Sequence, residues 1–372
     1  MEYVQERVTT LHAFDDPTPA APTDRSAVVV PMTDREYAGL AAERVLSTLS
    51  TVSPRRVIVA LRAPADRVPE FAEWLSTFEG PIDLLWCNAP AVEAVLDDAG
   101  LENGFGKGRD VWLALGVAAA SAAYVAVHDA DAKTYAASHV PRLLAPLSEG
   151  YEFSKGYYAR VENDRLYGRL FRLFYAPLVR ALADQHDAAV LDYLGAFRYA
   201  LAGEFAMTAD LARNLRAQRA WGLEVGTLGD AFAHAGFEGT AQVDLGRHEH
   251  DHRAVSGPTG LAEMARQVGA ALFRVVEDHG VAPDYDALPE RYRAVAEGFV
   301  RRYAADASFN DLSYDPAAER EQVADYADAV GQPGGDARLP AWTDAPVDPE
   351  VVATASADAV DRVTGAERYS RN

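Results

Sequence analysis

Four short apolar runs are spaced along the first third of the chain: Ala27-Val-Val-Val-Pro31, Val57-Ile-Val-Ala-Leu61, Ile82-Asp-Leu-Leu-Trp86 and Ala123-Tyr-Val-Ala-Val-His128. Helical periodicity follows each of the first three, over residues 37–49, 68–78 and 91–96, with Leu40, Val45, Leu46 and Leu49 on one side of the first helix. Strands alternating with helices of this length predict an α/β fold, a mainly parallel sheet covered on both faces. The 123–128 run is its fourth and central strand. A helix at 140–147 and an aromatic-rich strand at 151–161 follow, and Glu162-Asn-Asp164 turns the chain. Residues 165–183 read as one amphipathic helix with Arg169, Arg172 and Arg180 on a basic side. Further helices are expected at 210–217, from 221, and at 259–279, 288–303 and 316–330, with a strand at 240–245.

Residues 1–24 carry Asp15-Asp-Pro-Thr-Pro-Ala-Ala-Pro22, which buries little apolar surface and predicts a flexible lead. Residues 25–255 form the main α/β unit, 256–332 a C-terminal helical extension, and 333–372 an extended or disordered tail. Of 372 residues, 49% are hydrophobic, enough for a large core. The formal net charge of -21 opposes contact with nucleic acid or an anionic membrane, so a bound anion must be caught by local positive groups. Lysine occurs only as Lys107, Lys133 and Lys155, and this acidic, lysine-poor surface suits a high-salt cytoplasm. Cys87, the sole cysteine, excludes an internal disulfide. No run has the ~20 apolar residues of a membrane helix, and no export signal is evident.

The 123–128 run ends in Asp129-Ala-Asp131, which aims two carboxylates the same way at the open end of a strand. Open α/β sheets bind ligands there, and a pair of oxygen donors suits a divalent cation that grips a diphosphate. Upstream, Gly106-Lys107-Gly108 precedes Asp110, a possible helix cap, which brings backbone amides and an ammonium towards a phosphate. His248, His250 and His252 alternate in a segment after a strand, and an imidazole is a sound further ligand for manganese. Glu224, in an otherwise apolar helix start, either meets the helix dipole or stands beside a reacting group. Arg160 and Arg169 supply a local positive field.

In this order, Pro31, Gly106-Lys-Gly108, Asp129-Ala-Asp131, Lys155-Gly-Tyr-Tyr-Ala-Arg160, Gly168-Arg-Leu170, Leu201-Ala-Gly-Glu-Phe205, Trp221-Gly-Leu-Glu-Val-Gly226 and Gln242-Val-Asp-Leu-Gly246 through His250 resemble the glucosyl-3-phosphoglycerate synthases and the related mannosyl enzymes. The resemblance implies a retaining GT-A glycosyltransferase, with residues 25–255 binding both nucleotide sugar and acceptor. It implies a UDP-glucose or GDP-mannose donor, Mg2+ or Mn2+, a small anionic acceptor such as 3-phosphoglycerate, and a homodimer. By matching position, Asp131 and His250 hold the metal, with Asp129 reaching the metal shell or ribose and Lys107 and Pro31 contacting the nucleotide. Glu224 stands beside the transferred sugar as a catalytic group with Asp131. Gly168, Arg169, Arg160, Lys155, Gly203 and Glu204 line the sugar and acceptor side. The chain departs from the family at Phe171, where a threonine is usual, and at His248 and His252, where an arginine and an asparagine are usual. An acidic residue is missing from Ala60-Leu-Arg-Ala-Pro-Ala65. A lipid-phosphate or glycan acceptor, or nucleotide-sugar binding without catalysis, are the competing expectations.

Overall fold

The structure, a computed structural model, describes residues 5–101, 104–251 and 258–365. Its strands are β1 (Thr9–Leu11), β2 (Ser26–Thr33), β3 (Arg56–Arg62), β4 (Ile82–Trp86), β5 (Tyr124–Val127), β6 (Phe153–Ala159), β7 (Val161–Glu162), β8 (Arg165–Leu166), β9 (Phe205–Thr208) and β10 (Thr240–Arg247). Eight of them form one sheet in the order β1-β10-β6-β9-β5-β2-β3-β4, and β7 pairs with β8. Within the large sheet β9 runs antiparallel to both β5 and β6, and the other neighbours are parallel. Val28, Val29 and Val30 of β2 are fully buried, as expected of a parallel strand with both faces covered. This is the GT-A arrangement. Among the described residues, no helix is long and apolar enough to cross a membrane.

The expected strand–helix units are present, with differences that have physical causes. β2 runs through Pro31 rather than ending at it. Pro31 lies beyond Val29, the last β2 residue paired with β5, so a missing amide donor is tolerated. The lead is ordered from residue 5 onward: β1 adds a parallel edge strand to β10, and Val8 is fully buried. Arg142 then donates to the carbonyl of Pro17 at 2.8 Å and pairs with Asp16. An acidic, proline-rich stretch thus takes its order from partners elsewhere in the chain. With β1 in front, the expected fourth strand becomes the fifth in sequence, still inside the sheet.

The single helix expected over 165–183 is divided. Arg165 and Leu166 form the second arm of a hairpin whose tip residues, Asn163 and Asp164, both have positive φ. A π-helical turn (Leu170–Tyr175) leads into an α-helix (Ala176–Ala183).

The described part of the tail, to residue 365, is ordered too. Leu339 pairs with Ala217, Trp342 stacks on Trp112 at 4.0 Å, and a helix, Pro349–Thr364, packs beside β4 and the helix Pro90–Asp98. Asp348 caps that helix, Pro349 follows in its first turn, and Gly365 closes it in the left-handed conformation.

Candidate active site

The helix Lys107–Ala119 begins between two glycines, and close packing requires both. A Cβ on Gly106 would lie 2.6 Å from the Arg219 carbonyl oxygen, and one on Gly108 would lie 1.8 Å from that of Gln218. The amide of Arg109 already donates to the Arg219 carbonyl at 2.9 Å. Gly106, not Asp110, is the capping residue. Asp110 is buried in the first turn and paired with Arg62 at 2.8 Å. What the helix start delivers is therefore the Lys107 ammonium.

That ammonium lies between two carboxylates, 2.6 Å from Asp129 Oδ1 and 3.1 Å from Glu224 Oε1. Burial alone pulls its pKa down, and the two negative charges more than reverse this. Glu224 lies in the first turn of the helix Leu223–His234, which Gly222 enters at φ 94°. Asp129 is also fixed by a close approach: a Cβ on Gly203 would fall 2.1 Å from its Oδ2. Burial opposes ionisation of Asp129, and Lys107 reverses this, so its carboxyl titrates below the usual range.

Asp131 stands apart from that cluster, with Oδ1 3.2 Å from Nδ1 of His250. Backbone pairing sets this distance. Ala132 bridges His250, the Lys133 amide donates to the Glu249 carbonyl at 2.8 Å, and the Asp251 amide donates to Asp131 at 2.8 Å. Two donors about 2.1 Å from one octahedral ion, at right angles, would be about 3 Å apart, so the pair fits a single Mg2+ or Mn2+. Among the described residues, no three Asp, Glu, His or Cys side chains converge as a metal site. The donor set thus fits an ion that completes its shell with diphosphate oxygens and water. Asp129, expected to reach the metal shell or the ribose, is paired here with Lys107.

His248 and His250 share one side of their segment, as the alternation predicts, with ring centroids 4.3 Å apart. His248 is buried, stacks on Tyr158 at 4.0 Å, and burial pushes its pKa down to about 2. His252 lies outside the described residues.

Beneath Asp129, Lys155 is a buried support rather than an exposed contact. Its Nζ donates to the Ala202 carbonyl at 2.6 Å, which fixes the 201–204 segment, and burial lowers its pKa to about 8. Glu204 is fully buried; burial first, then the charge of Asp129, pushes its carboxyl well above the usual range.

Arg160 and Gly168 meet at Tyr199, and Arg169 follows Gly168 in the chain. Arg160 Nη1 donates to the Tyr199 hydroxyl at 3.2 Å. Gly168, at φ 74°, faces the same hydroxyl, 3.0 Å from where a Cβ would lie. Arg169 pairs with Glu319 at 3.3 Å, a partner from the C-terminal extension that no local sequence pattern announces.

A glucosyl-3-phosphoglycerate synthase of Methanococcoides burtonii is 33% identical over 92% of this chain and 93% of its own length. The chain belongs to the glucosyl-3-phosphoglycerate synthase family. A second member, from Persephonella marina, is 33% identical over 82% of the chain and 79% of its own. The Mycobacterium tuberculosis enzyme in complex with Mn2+, uridine diphosphate and glucosyl-3-phosphoglycerate superposes with a TM-score of 0.53 at 26% identity, over 70% of this chain and 82% of that one. Its complex with Mg2+ and uridine diphosphate gives 0.56 at 25% identity, over 74% and 88%. No protein-family model matches the chain. Phe171 stands where the resemblance implies a threonine. The ring packs on Tyr199 at 5.0 Å and Tyr175 at 5.7 Å, so the position expected to lose a hydroxyl gains an aromatic contact.

Proposed function

We propose that the protein transfers glucose from UDP-glucose to 3-phosphoglycerate, with retention at the sugar carbon and with Mn2+ or Mg2+ bound between Asp131 and His250. The observation that carries this is the 3.2 Å Asp131–His250 pair, together with a lysine held by Asp129 and Glu224. A bound divalent ion supplies electrostatic stabilisation of the departing diphosphate. Lys107 adds a fixed positive charge in the same low-dielectric cleft, and Asp129 and Glu224 keep it protonated throughout. Glu224 stands beside the sugar, where its carboxylate opposes positive charge at the reacting carbon. Arg169, half exposed and set just after Gly168, receives the acceptor's phosphate or carboxylate. Pro31, at the carboxyl end of β2, meets the nucleotide.

The same reading places the enzyme in the cytoplasm, with its net charge of -21 suited to high salt, and pairs it with a second copy through the C-terminal helices. Sedimentation in high salt at several protein concentrations tests the pairing. The reaction is tested in high salt with UDP-glucose, Mn2+ and 3-phosphoglycerate, with GDP-mannose and other acceptors as comparison arms. UDP release with 3-phosphoglycerate is expected, and Asp131→Ala or chelation of the metal abolishes it. UDP release with other acceptors but never with 3-phosphoglycerate would sink the assignment.

A further inference from the structure

The segment after the β7–β8 hairpin meets the C-terminal extension at one buried carboxylate. Glu319, in the helix Pro316–Ala327, is 4% exposed and faces two arginines. Arg172 donates to it through both terminal nitrogens, Nη1 to Oε2 at 2.9 Å and Nη2 to Oε1 at 3.1 Å. Arg172 also donates from Nε to the Tyr167 carbonyl at 2.9 Å, and its guanidinium lies over the Tyr303 ring at 4.7 Å. Arg172 is consumed by structure.

Arg169 is held differently. Its Nε stands 3.3 Å from Glu319 Oε1 while the side chain remains 48% exposed. The shortest approach is through the Nε edge, and neither terminal nitrogen of Arg169 has a hydrogen-bond partner among the described residues, an arrangement suited to a second anion. One carboxylate also serves two guanidinium charges, so the cluster keeps a net positive charge. A second strap reinforces the join: the Ser313 amide donates to the Asp164 carbonyl at 2.7 Å, and Ser313 bridges Arg165.

We propose that Glu319 is a positioning residue for the acceptor: it fixes Arg169 by its Nε edge, so that the C-terminal helices set the acceptor subsite. This rests on the reading that Arg169 receives the acceptor's anion. Three variants, Glu319→Gln, Arg169→Ala and the double substitution, are compared with the unchanged chain by steady-state kinetics with UDP-glucose, Mn2+ and 3-phosphoglycerate. Glutamine keeps the shape and an oxygen for Arg172, and thermal melting by circular dichroism verifies folding.

In Glu319→Gln the acceptor KM rises about tenfold, a typical value for one charge-assisted contact, while the UDP-glucose KM stays within about twofold. Placed in the Arg169→Ala background, the same change has no further effect on the acceptor KM. An equal rise in both backgrounds reports general loosening and overturns the proposal. A raised KM in Arg169→Ala with none in Glu319→Gln also overturns it and leaves the acceptor reading standing. No rise in Arg169→Ala removes that reading and the proposal with it. Should Glu319→Gln fail to fold, Glu319→Asp serves under the same criteria, since it keeps a charge for Arg172 and draws it back from Arg169.

Discussion

Lys107 is held at both sides by carboxylates, and its charge is a fixed property of the cleft rather than one that a bound diphosphate must induce. Such preorganised charge stabilises a leaving group without reorganisation at the moment of reaction. Lys107→Met keeps most of the packing volume and leaves Asp129 and Glu224 facing the diphosphate uncompensated. Its kcat is expected to fall by about 10²- to 10³-fold, as for loss of one oxyanion-stabilising donor, and its melting temperature falls as well, because two largely buried carboxylates lose their shared cation. A loss confined to the acceptor KM would instead place Lys107 outside the donor site. The residues of this centre are legible in the sequence because each sits in a local pattern: an Asp-x-Asp at a strand end, a lysine between glycines, alternating histidines. Their partners are not. That Lys107 answers Asp129 and Glu224 while Asp131 answers His250 depends on how strands and loops return to the cleft. The Arg172–Glu319 pair spans 147 residues of sequence and leaves no local trace.

At the scale of elements, the segment after Gly168 shows how a broken periodicity is repaired from a distance. Pro177 has no amide to donate to the carbonyl of Leu173, four residues earlier. The widened turn at Leu170–Tyr175 precedes it, and the Tyr292 hydroxyl, from the helix Leu288–Phe309, donates to the Leu173 carbonyl at 2.6 Å. The amphipathic pattern shows the helix but not the π turn, because the turn depends on that remote donor. The tail is a similar case. Polar, proline-interrupted residues read as extended chain, yet the indole nitrogens of Trp112 and Trp342 each donate across the join at 2.8 Å, to Pro340 and Trp112 carbonyls. Gly116 lies flat against the Trp342 ring, where a Cβ would approach within 2.3 Å. Trp342→Ala is expected to cost about 3–5 kcal/mol, the range for removing a buried aromatic, measured by urea unfolding. A truly disordered tail would make that substitution neutral. The Asp348-Pro349 start of the last helix is a readable signal, and it is obscured by the Ala-rich face that follows.

For the molecule as a whole, an acidic surface and a core with buried imidazoles respond to pH in opposite directions. His128 is fully buried and His139 nearly so, each in edge-on contact with Tyr135, at 5.3 and 5.0 Å. Burial first, and then the neighbouring His139, lowers the pKa of His128 to about 3; burial and then Arg142 lower that of His139 to about 4. Both are neutral in the folded chain, whereas the unfolded chain protonates them below about pH 6.5. The unfolded state therefore binds more protons as pH falls. The stability these groups contribute is complete above pH 6.5 and declines at about 1.4 kcal/mol per pH unit for each histidine on the way down to their folded values. Over the same range, protonation of surface carboxylates relieves part of the repulsion implied by a net charge of -21, so total stability is a poor readout of either effect. A difference between two proteins with the same surface isolates the core. Neither ring nitrogen of His128 has a hydrogen-bond partner among the described residues, so His128→Leu removes one titration without stranding a donor or acceptor. Measured by urea unfolding, the variant should gain about 2 kcal/mol on the unchanged chain between pH 7.5 and pH 5, where one histidine's slope acts over about 1.5 units. Parallel stability curves over that range would show that His128 takes up a proton in the folded chain as readily as in the unfolded one.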